Sequence, residues 1–306
     1  MRAILAADIH LQARPPVARS SEPDWYEAMA RPLAEIGAMA LYHGCPIIYA
    51  GDVFDRWNAG PEVINFALAN LPSGWAIPGQ HDLPNHNYDE IKRSAYWTLV
   101  EAGLLKNLEP YSSWKDGCVM MTGFPWGFPL TSYPDDFRDD GEISIAVAHS
   151  FIWTPGTGYE GAPIERMVGG YRKVLAGYDV AVFGDNHKGF IVQCGEGPWV
   201  INCGTLMRRT RDERNYQPSV GLLHEDGTVT RHFLDVSEDR FVELTEAEET
   251  VEEALLDMTE FVSGLKALSA GDALDFRRAI SRFLDKNEVS SRVRELVLQA
   301  CEGRTE

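Results

Sequence analysis

The chain has 306 residues, with 28 Lys and Arg against 46 Asp and Glu for a formal net charge of −18, and 44% of its residues are hydrophobic. That apolar content suffices for one or two cores and excludes disorder as a description of the whole. The acidic balance argues against a protein that coats nucleic acid by bulk charge, without excluding a nuclease whose metal ligands are themselves acidic. No apolar stretch reaches the ~18–20 residues of a membrane helix, and a strand-like run begins at Arg2 where a signal peptide would need a long apolar segment, so a soluble cytoplasmic protein with no membrane partner is expected. Cys45, Cys118, Cys194, Cys203 and Cys301 are odd in number and contain no CxxC pair, which points to buried, reduced thiols.

Up to about residue 235, short apolar runs alternate with Gly/Pro turns and a few helical stretches, the pattern of an α/β domain. Five of these runs stop at residues able to bind a metal. Residues 2–7 lead into Asp8-Ile9-His10, residues 46–50 into Gly51-Asp52-Val53-Phe54-Asp55, and residues 75–78 into Gly79-Gln80-His81-Asp82. Residues 143–148 lead into His149, and residues 180–183 into Gly184-Asp185-Asn186-His187. Ligands in open α/β sheets sit beyond the carboxyl ends of the strands, so the five ends converge if the strands share a sheet. In extended chain, side chains at i and i+2 project to one side. Asp8 with His10, and Asp185 with His187, therefore present two ligands together, whereas the adjacent Gln80 and His81 point apart. The glycines before Asp52, Gln80 and Asp185 allow tight turns and close backbone approach.

A lone Asp after a strand is usually a turn former or helix cap, and a lone His a satisfied polar residue. Five such ends in one chain call for a common cause. A His and carboxylate set without Cys suits Mn²⁺, Fe²⁺ or Mg²⁺, and it holds more ligands than one ion needs, so two ions are implied. Two ions ~3.5–4 Å apart suit phosphate ester hydrolysis, since they activate water and neutralise phosphoryl charge. Asp52, at the end of the second core strand, is the natural bridge between them.

The ordered set Asp8-x-His10, Gly51-Asp52-x-x-Asp55, Gly79-Gln80-His81-Asp82, His149 and Gly184-Asp185-x-His187 resembles the calcineurin-like metallophosphoesterase superfamily. Asp8-Ile9-His10-Leu11 and Gly51-Asp52-Val53-Phe54-Asp55 look like its DNA repair exonuclease branch, the nuclease subunit of SbcCD-type complexes and bacteriophage relatives. The resemblance spans residues 1–235 and implies an α/β fold, a two-sheet β-sandwich flanked by helices. By motif position the first metal would take Asp8, His10, Asp52 and His187, and the second Asp52, Gln80, His149 and Asp185. His81 matches the histidine that contacts the scissile phosphate. Gln80 stands where the family has Asn, and Asp185 where it has His; both keep a donor atom, and Asp185 favours Mn²⁺ or Mg²⁺ over softer ions. Asn202-Cys203-Gly204-Thr205 resembles the turn after the last metal motif. Arg208, Arg209, Arg211 and Arg214 follow, and the first three are candidates for nucleic-acid phosphate contacts; a solvated loop paired with Asp212 and Glu213 is the competing reading.

Residues 236–306 read as a small helical C-terminal region. Val251, Leu255, Met258, Val262 and Leu265 form one apolar helical stripe at steps of four and three, and two shorter stripes follow. They suit packing on their own domain, a shortened cap or an ATPase-docking element. The resemblance implies a Mn²⁺-dependent DNA exonuclease or endonuclease working with an SbcC-like ATPase in DNA repair or recombination, with a second copy of the chain as a further candidate partner. The competing functions are a phosphodiesterase or phosphatase for a small substrate, and a catalytically silent scaffold for DNA or an ATPase.

Overall fold

The structure, a computed structural model, describes residues 1–133, 141–195 and 197–242. Twelve strands and three α-helices are the regular elements of these residues. In chain order they are β1 (Ala3–Ala6), α1 (Trp25–His43), β2 (Ile47–Ala50), α2 (Pro61–Asn70), β3 (Gly74–Ile77), α3 (Ala95–Glu101), β4 (Leu105–Asn107), β5 (Ser113–Asp116) and β6 (Val119–Phe124). β7 (Ile143–His149), β8 (Val180–Gly184), β9 (Phe190–Gln193), β10 (Trp199–Asn202), β11 (Ser219–Leu223) and β12 (Val229–Phe233) complete them.

The strands form two six-stranded mixed sheets, ordered β12-β11-β1-β2-β3-β4 and β5-β6-β7-β8-β10-β9. This is the two-sheet α/β arrangement expected from the sequence. Within the first sheet β1 to β4 run parallel, and within the second β6, β7, β8 and β10 do. Period-two alternation sorts the side chains into layers. Leu5, Ile48, Ile77 and Trp75 of one sheet meet Met121, Ile145, Val147, Val182 and Ile201 of the other in a shared core. Ile4, Ile47, Tyr49 and Ala76 face the opposite way, toward Met29, Leu33 and Ile36 of α1, Val63 and Ala67 of α2, and Leu99 of α3. Those α1 residues recur at steps of three and four, so the helix buries one stripe. Its first turn is capped by the Asp24 carboxylate, which accepts from the Tyr26 and Glu27 amides, and its end by Gly44 at φ 61°.

The five ligand-bearing strands do not share a sheet: β1, β2 and β3 lie in the first, β7 and β8 in the second. Their ends still converge, because the two sheets stack and the parallel strands of each present carboxyl ends at the same edge. The strand starts and stops match the apolar runs to within one residue.

The chain divides into two compact units, Met1–Val242 and Glu243–Glu306. Residues 236–242 belong to the first. The buried Arg19 guanidinium binds the carboxylates of Glu22 and Asp239, stacks near Trp25 and Phe241, and donates to the Arg208 and Arg240 carbonyls. The apolar stripes that begin at Val251 lie outside the described residues. No described helix is long and apolar enough to cross a membrane.

Candidate metal centre

The loops after β1 and β2 run side by side beyond the last strand pairs. The Asp8 amide donates to the Gly51 carbonyl (3.0 Å), His10 to Asp52 (3.0 Å) and Leu11 to Val53 (2.9 Å). To keep this pairing while turning their side chains to one point, Asp8, His10 and Asp52 take φ values of 51°, 50° and 53°, and Asp185 takes 84°. Left-handed backbone at a non-glycine residue costs on the order of 1–3 kcal/mol and persists where surrounding structure over-determines it. Two glycines make the convergence possible by leaving space. A Cβ on Gly51 would lie 2.1 Å from His149 Nδ1, and one on Gly79 would lie 2.1 Å from Asp52 Oδ1.

Around the resulting hollow, His10 Nε2 lies 3.2 Å from His187 Nε2, 3.9 Å from Asp8 Oδ1 and 3.8 Å from Asp52 Oδ2. On the other side His149 Nε2 lies 3.4 Å from the same Asp52 oxygen, while its Nδ1 donates to the Ala50 carbonyl at 2.6 Å. That bond fixes the tautomer and leaves Nε2 to face the centre, the arrangement of a ligating histidine. Asp52 Oδ2, His149 Nε2 and Gln80 Oε1 are buried and have no hydrogen-bond partner among the described residues. Buried polar atoms are rarely left so, and a divalent cation is a partner that all three can share.

Ligand atoms gather into Asp8 with His10 and His187, Asp8 with Asp52 and His149, and His10 with Asp55 and His81, each set within 4.8 Å. The donors are nitrogen and carboxylate oxygen without sulfur, a chemistry that fits divalent ions of the Mn²⁺ or Mg²⁺ kind. Asp52 Oδ2 is flanked by a histidine from each half, His10 Nε2 at 3.8 Å and His149 Nε2 at 3.4 Å. Gln80 and His81 take different partners. Gln80 donates from Nε2 to Asp185 Oδ1 at 2.7 Å, which leaves its carbonyl oxygen for the centre. His81 is held at the edge of the hollow: its amide donates to Asp52 Oδ1 (2.9 Å), its Nδ1 to the Asp55 carbonyl (2.8 Å), its Nε2 lies 4.0 Å from Asp52 Oδ2, and its ring is partly open to solvent. Asp185 stands outside the three sets. Its carboxylate engages Gln80 and its amide donates to both Asp8 oxygens at 3.1 Å.

Burial governs the charges. It pushes the Asp8 carboxyl up to about 6 against the pull of His149 and His187, and with Arg209 it holds His10 well below the usual histidine range, in the neutral form that ligates. Burial opposes ionisation of Asp52 and His149 as well, but their mutual attraction outweighs it, so Asp52 is held down and His149 raised.

Supporting residues complete the centre. The buried Asp82 carboxylate accepts from the amides of Val53 (3.1 Å), Phe54 (2.9 Å) and Gly79 (3.0 Å), tying the second metal loop to the third. Glu213 lies 3.5 Å from His187 Nδ1 and accepts from the Arg209 and Thr210 amides; despite burial, these partners hold its carboxyl down at about 2. Arg209 Nη1 donates to Asp55 Oδ1 at 2.8 Å, beside the centre. Arg208 points elsewhere: it pairs with Asp239 at 2.9 Å and donates to the Arg214 and Val236 carbonyls. Arg211 is exposed on the same loop. The structure thus brings one of the three candidate arginines to the centre.

No family model matches the chain, and no curated protein does. Solved structures similar to it include a metallophosphoesterase from Sphaerobacter thermophilus, at 14% identity over 77% of this chain and 88% of that one with a TM-score of 0.36. The calcineurin-like phosphoesterase YfkN from Bacillus subtilis is similar at 14% identity over 85% and 98% of the two chains, with a TM-score of 0.44. A 5'-nucleotidase precursor from Thermus thermophilus is similar at 15% identity over 87% of this chain and 59% of that one, also with a TM-score of 0.44.

Proposed function

We propose that the protein is a metal-dependent phosphoester hydrolase of the calcineurin-like type, acting on a small phosphodiester or phosphomonoester. The observation that carries this reading is the set of buried, unpartnered donors, Asp52 Oδ2, His149 Nε2 and Gln80 Oε1, at the meeting point of five strand ends. Asp8, His10 and His187 would hold one divalent ion, His149 and Gln80 a second, and Asp52 both. Bound there, such ions supply Lewis-acid activation of water and neutralisation of phosphoryl charge. The protein's own contribution is positional. The Asp55 carbonyl fixes His81 Nδ1, so Nε2 is left for a substrate oxygen, donating a hydrogen bond to the phosphoryl group or a proton to the departing alkoxide when the ring is charged. Asp82 keeps the loops of Asp52 and His81 at constant separation.

A DNA nuclease is the second reading, favoured by the likeness of Asp8-Ile9-His10-Leu11 and Gly51-Asp52-Val53-Phe54-Asp55 to DNA repair exonucleases. It brings with it DNA and an SbcC-like ATPase as partners, with residues beyond 242 as the docking element. The small substrate is preferred because Arg208, expected on a DNA backbone, is held by Asp239 and two carbonyls.

One experiment tests both readings: the purified chain incubated with bis(p-nitrophenyl) phosphate and with end-labelled linear duplex DNA, in Mn²⁺, Mg²⁺ or EDTA. Metal-dependent cleavage of the chromogenic ester with DNA left intact is the expected result. Rapid degradation of the duplex moves the second reading to first place, and cleavage of neither with any metal overturns both.

A further inference from the structure

Next to the metal centre lies a cleft of about 450 Å³, within the ~300–1,000 Å³ of small-molecule sites. Its walls are continuations of the first two metal loops. Leu11, Gln12 and Arg14 follow ligand His10; Asp55, Arg56 and Asn58 follow the bridging Asp52. The walls are joined where Leu11 and Phe54 form a parallel bridge and the Asp55 amide donates to the Leu11 carbonyl at 3.1 Å. The cleft's position relative to the ligands is therefore set by the same backbone that sets the ligands. Asp55 belongs to both spaces, since it lines the cleft while its Oδ1 lies 3.8 Å from His10 Nδ1.

The charges are unusual for a chain of net −18. Asp55 is neutralised by Arg209, and Arg56 keeps only a loose 3.9 Å approach to it, with 82% of its side chain exposed. Arg14 is exposed and pairs with no described residue. Two guanidinium groups are thus free to turn into a cleft whose other polar side chains are the Asp55 carboxylate, held by Arg209 at 2.8 Å, and the neutral amides of Gln12 and Asn58. Guanidinium forks match phosphate oxygens, and side-chain amides match base or sugar edges. We infer that this cleft receives the part of the substrate that extends from the scissile phosphate, and that this part is nucleotide-like and carries a second phosphate, bound by Arg14 and Arg56. The inference rests on the phosphoesterase reading and names its substrate class.

The test compares two chromogenic esters, thymidine 5'-(p-nitrophenyl phosphate) with and without a 3'-phosphate, on the full chain and on Arg14→Ala with Arg56→Ala. Both release the same nitrophenolate, so the ratio of their kcat/KM values isolates the second phosphate. The parent protein should prefer the 3'-phosphorylated ester through a lower KM, and the double substitution should reduce that preference by about tenfold, the scale of one charge-assisted contact. Both arginines are exposed, and Arg14→Glu with Arg56→Glu should invert the preference. A ratio near one in the parent, or one that the substitutions leave alone, overturns the subsite. Cleavage of neither ester by the parent in Mn²⁺ or Mg²⁺ instead overturns the phosphoesterase reading, so the two failures are distinguishable. A further arm with 5'-labelled oligothymidylate assigns the source of the second phosphate: supporting results are preference for the ester, which assigns a free nucleotide, or for the oligomer, which assigns a single strand.

Discussion

Glu213 and His187 lie 26 positions apart, yet a Glu213 oxygen rests 3.5 Å from His187 Nδ1 on the side away from the metal centre. A carboxylate behind a ligating histidine orients the ring and raises its basicity, and such partners typically contribute 10–100-fold to metal affinity. Glu213→Gln keeps the shape and can still accept the Arg209 and Thr210 amides through its carbonyl. Titration calorimetry with Mn²⁺ should then show affinity lower by about that factor while the circular dichroism spectrum is preserved. Unchanged affinity would make Glu213 a loop staple only.

The neighbouring arginine leads to the opposite kind of prediction. Arg208 and Asp239 are both nearly buried and share a network with Arg19 and Glu22. Removing one partner of a buried pair is destabilising by about 3–5 kcal/mol, and on the order of 2–4 °C per kcal/mol is expected for a domain of this size. Arg208→Ala should therefore lower the melting temperature by roughly 6–20 °C, with no change in the KM of a small phosphodiester at temperatures where the protein is folded. A normal melting temperature together with a raised KM would restore Arg208 to the substrate.

What the sequence could and could not disclose follows from range. Asp8, His10, Asp52, Gln80 and His149 were legible because each ends an apolar run, and strand ends are a local signal. That β7 and β8 belong to a different sheet from β1 to β3 was not, since an apolar run says nothing of which sheet it joins. The engagement of Asp185 with Gln80 joins residues 105 positions apart, which no local pattern discloses. By sequence Glu213 is one charge in a short charged loop, because the features that distinguish it, burial and His187, are tertiary. Arg208 and Arg209 are adjacent and of one type, so only the fold could send one to Asp239 and the other to Asp55.

Metal binding should also be visible without turnover. A ligand that binds only the folded state stabilises it by about 2.7 kcal/mol at a hundred times its dissociation constant. Mn²⁺ should raise the melting temperature of metal-stripped protein by several degrees, Mg²⁺ by less, and EDTA should reverse both. Activity should follow the same order. Equal melting curves in Mn²⁺ and EDTA, with metal analysis finding none bound, would refute the metal centre.

Gly79 offers a steric test. Any Cβ there meets Asp52 Oδ1 at 2.1 Å, so Gly79→Ala must displace the Asp52 carboxylate or the loop that carries His81. Overpacking of this kind costs about 1–3 kcal/mol, and it acts on the centre directly. The variant should fold with a modestly lowered melting temperature and bind less metal than the parent under the same conditions. Gly103, at φ 73° with open space around it, is a control: Gly103→Ala should cost stability through backbone strain alone and keep the metals.

The adjacent roles of Asp52 and His81 can be separated by two substitutions. Asp52 is buried, and its Oδ2 faces a histidine from each half of the centre, so Asp52→Ala removes the carboxylate that both ions would share and leaves their charges facing one another. Metal content and hydrolysis should fall together. His81 is bound through its amide and Nδ1, which leaves Nε2 4.0 Å from Asp52 Oδ2 without a closer partner, on a side chain that is 42% exposed. His81→Ala keeps the hydrogen bond from the backbone N–H to Asp52 Oδ1 and removes only the ring. It should retain both metals and bind substrate with little change in KM, while kcat falls by ~10²–10⁴, the usual contribution of a positioned acid or charge-stabilising group. The loss should be smaller for a substrate with a nitrophenolate leaving group than for an alkyl ester, because a good leaving group needs little protonation. Metal analysis beside kinetics on both esters decides the matter: a folded His81→Ala protein that has lost a metal makes His81 a ligand in the set with His10 and Asp55, and an equal loss on both esters leaves it charge stabilisation without proton transfer.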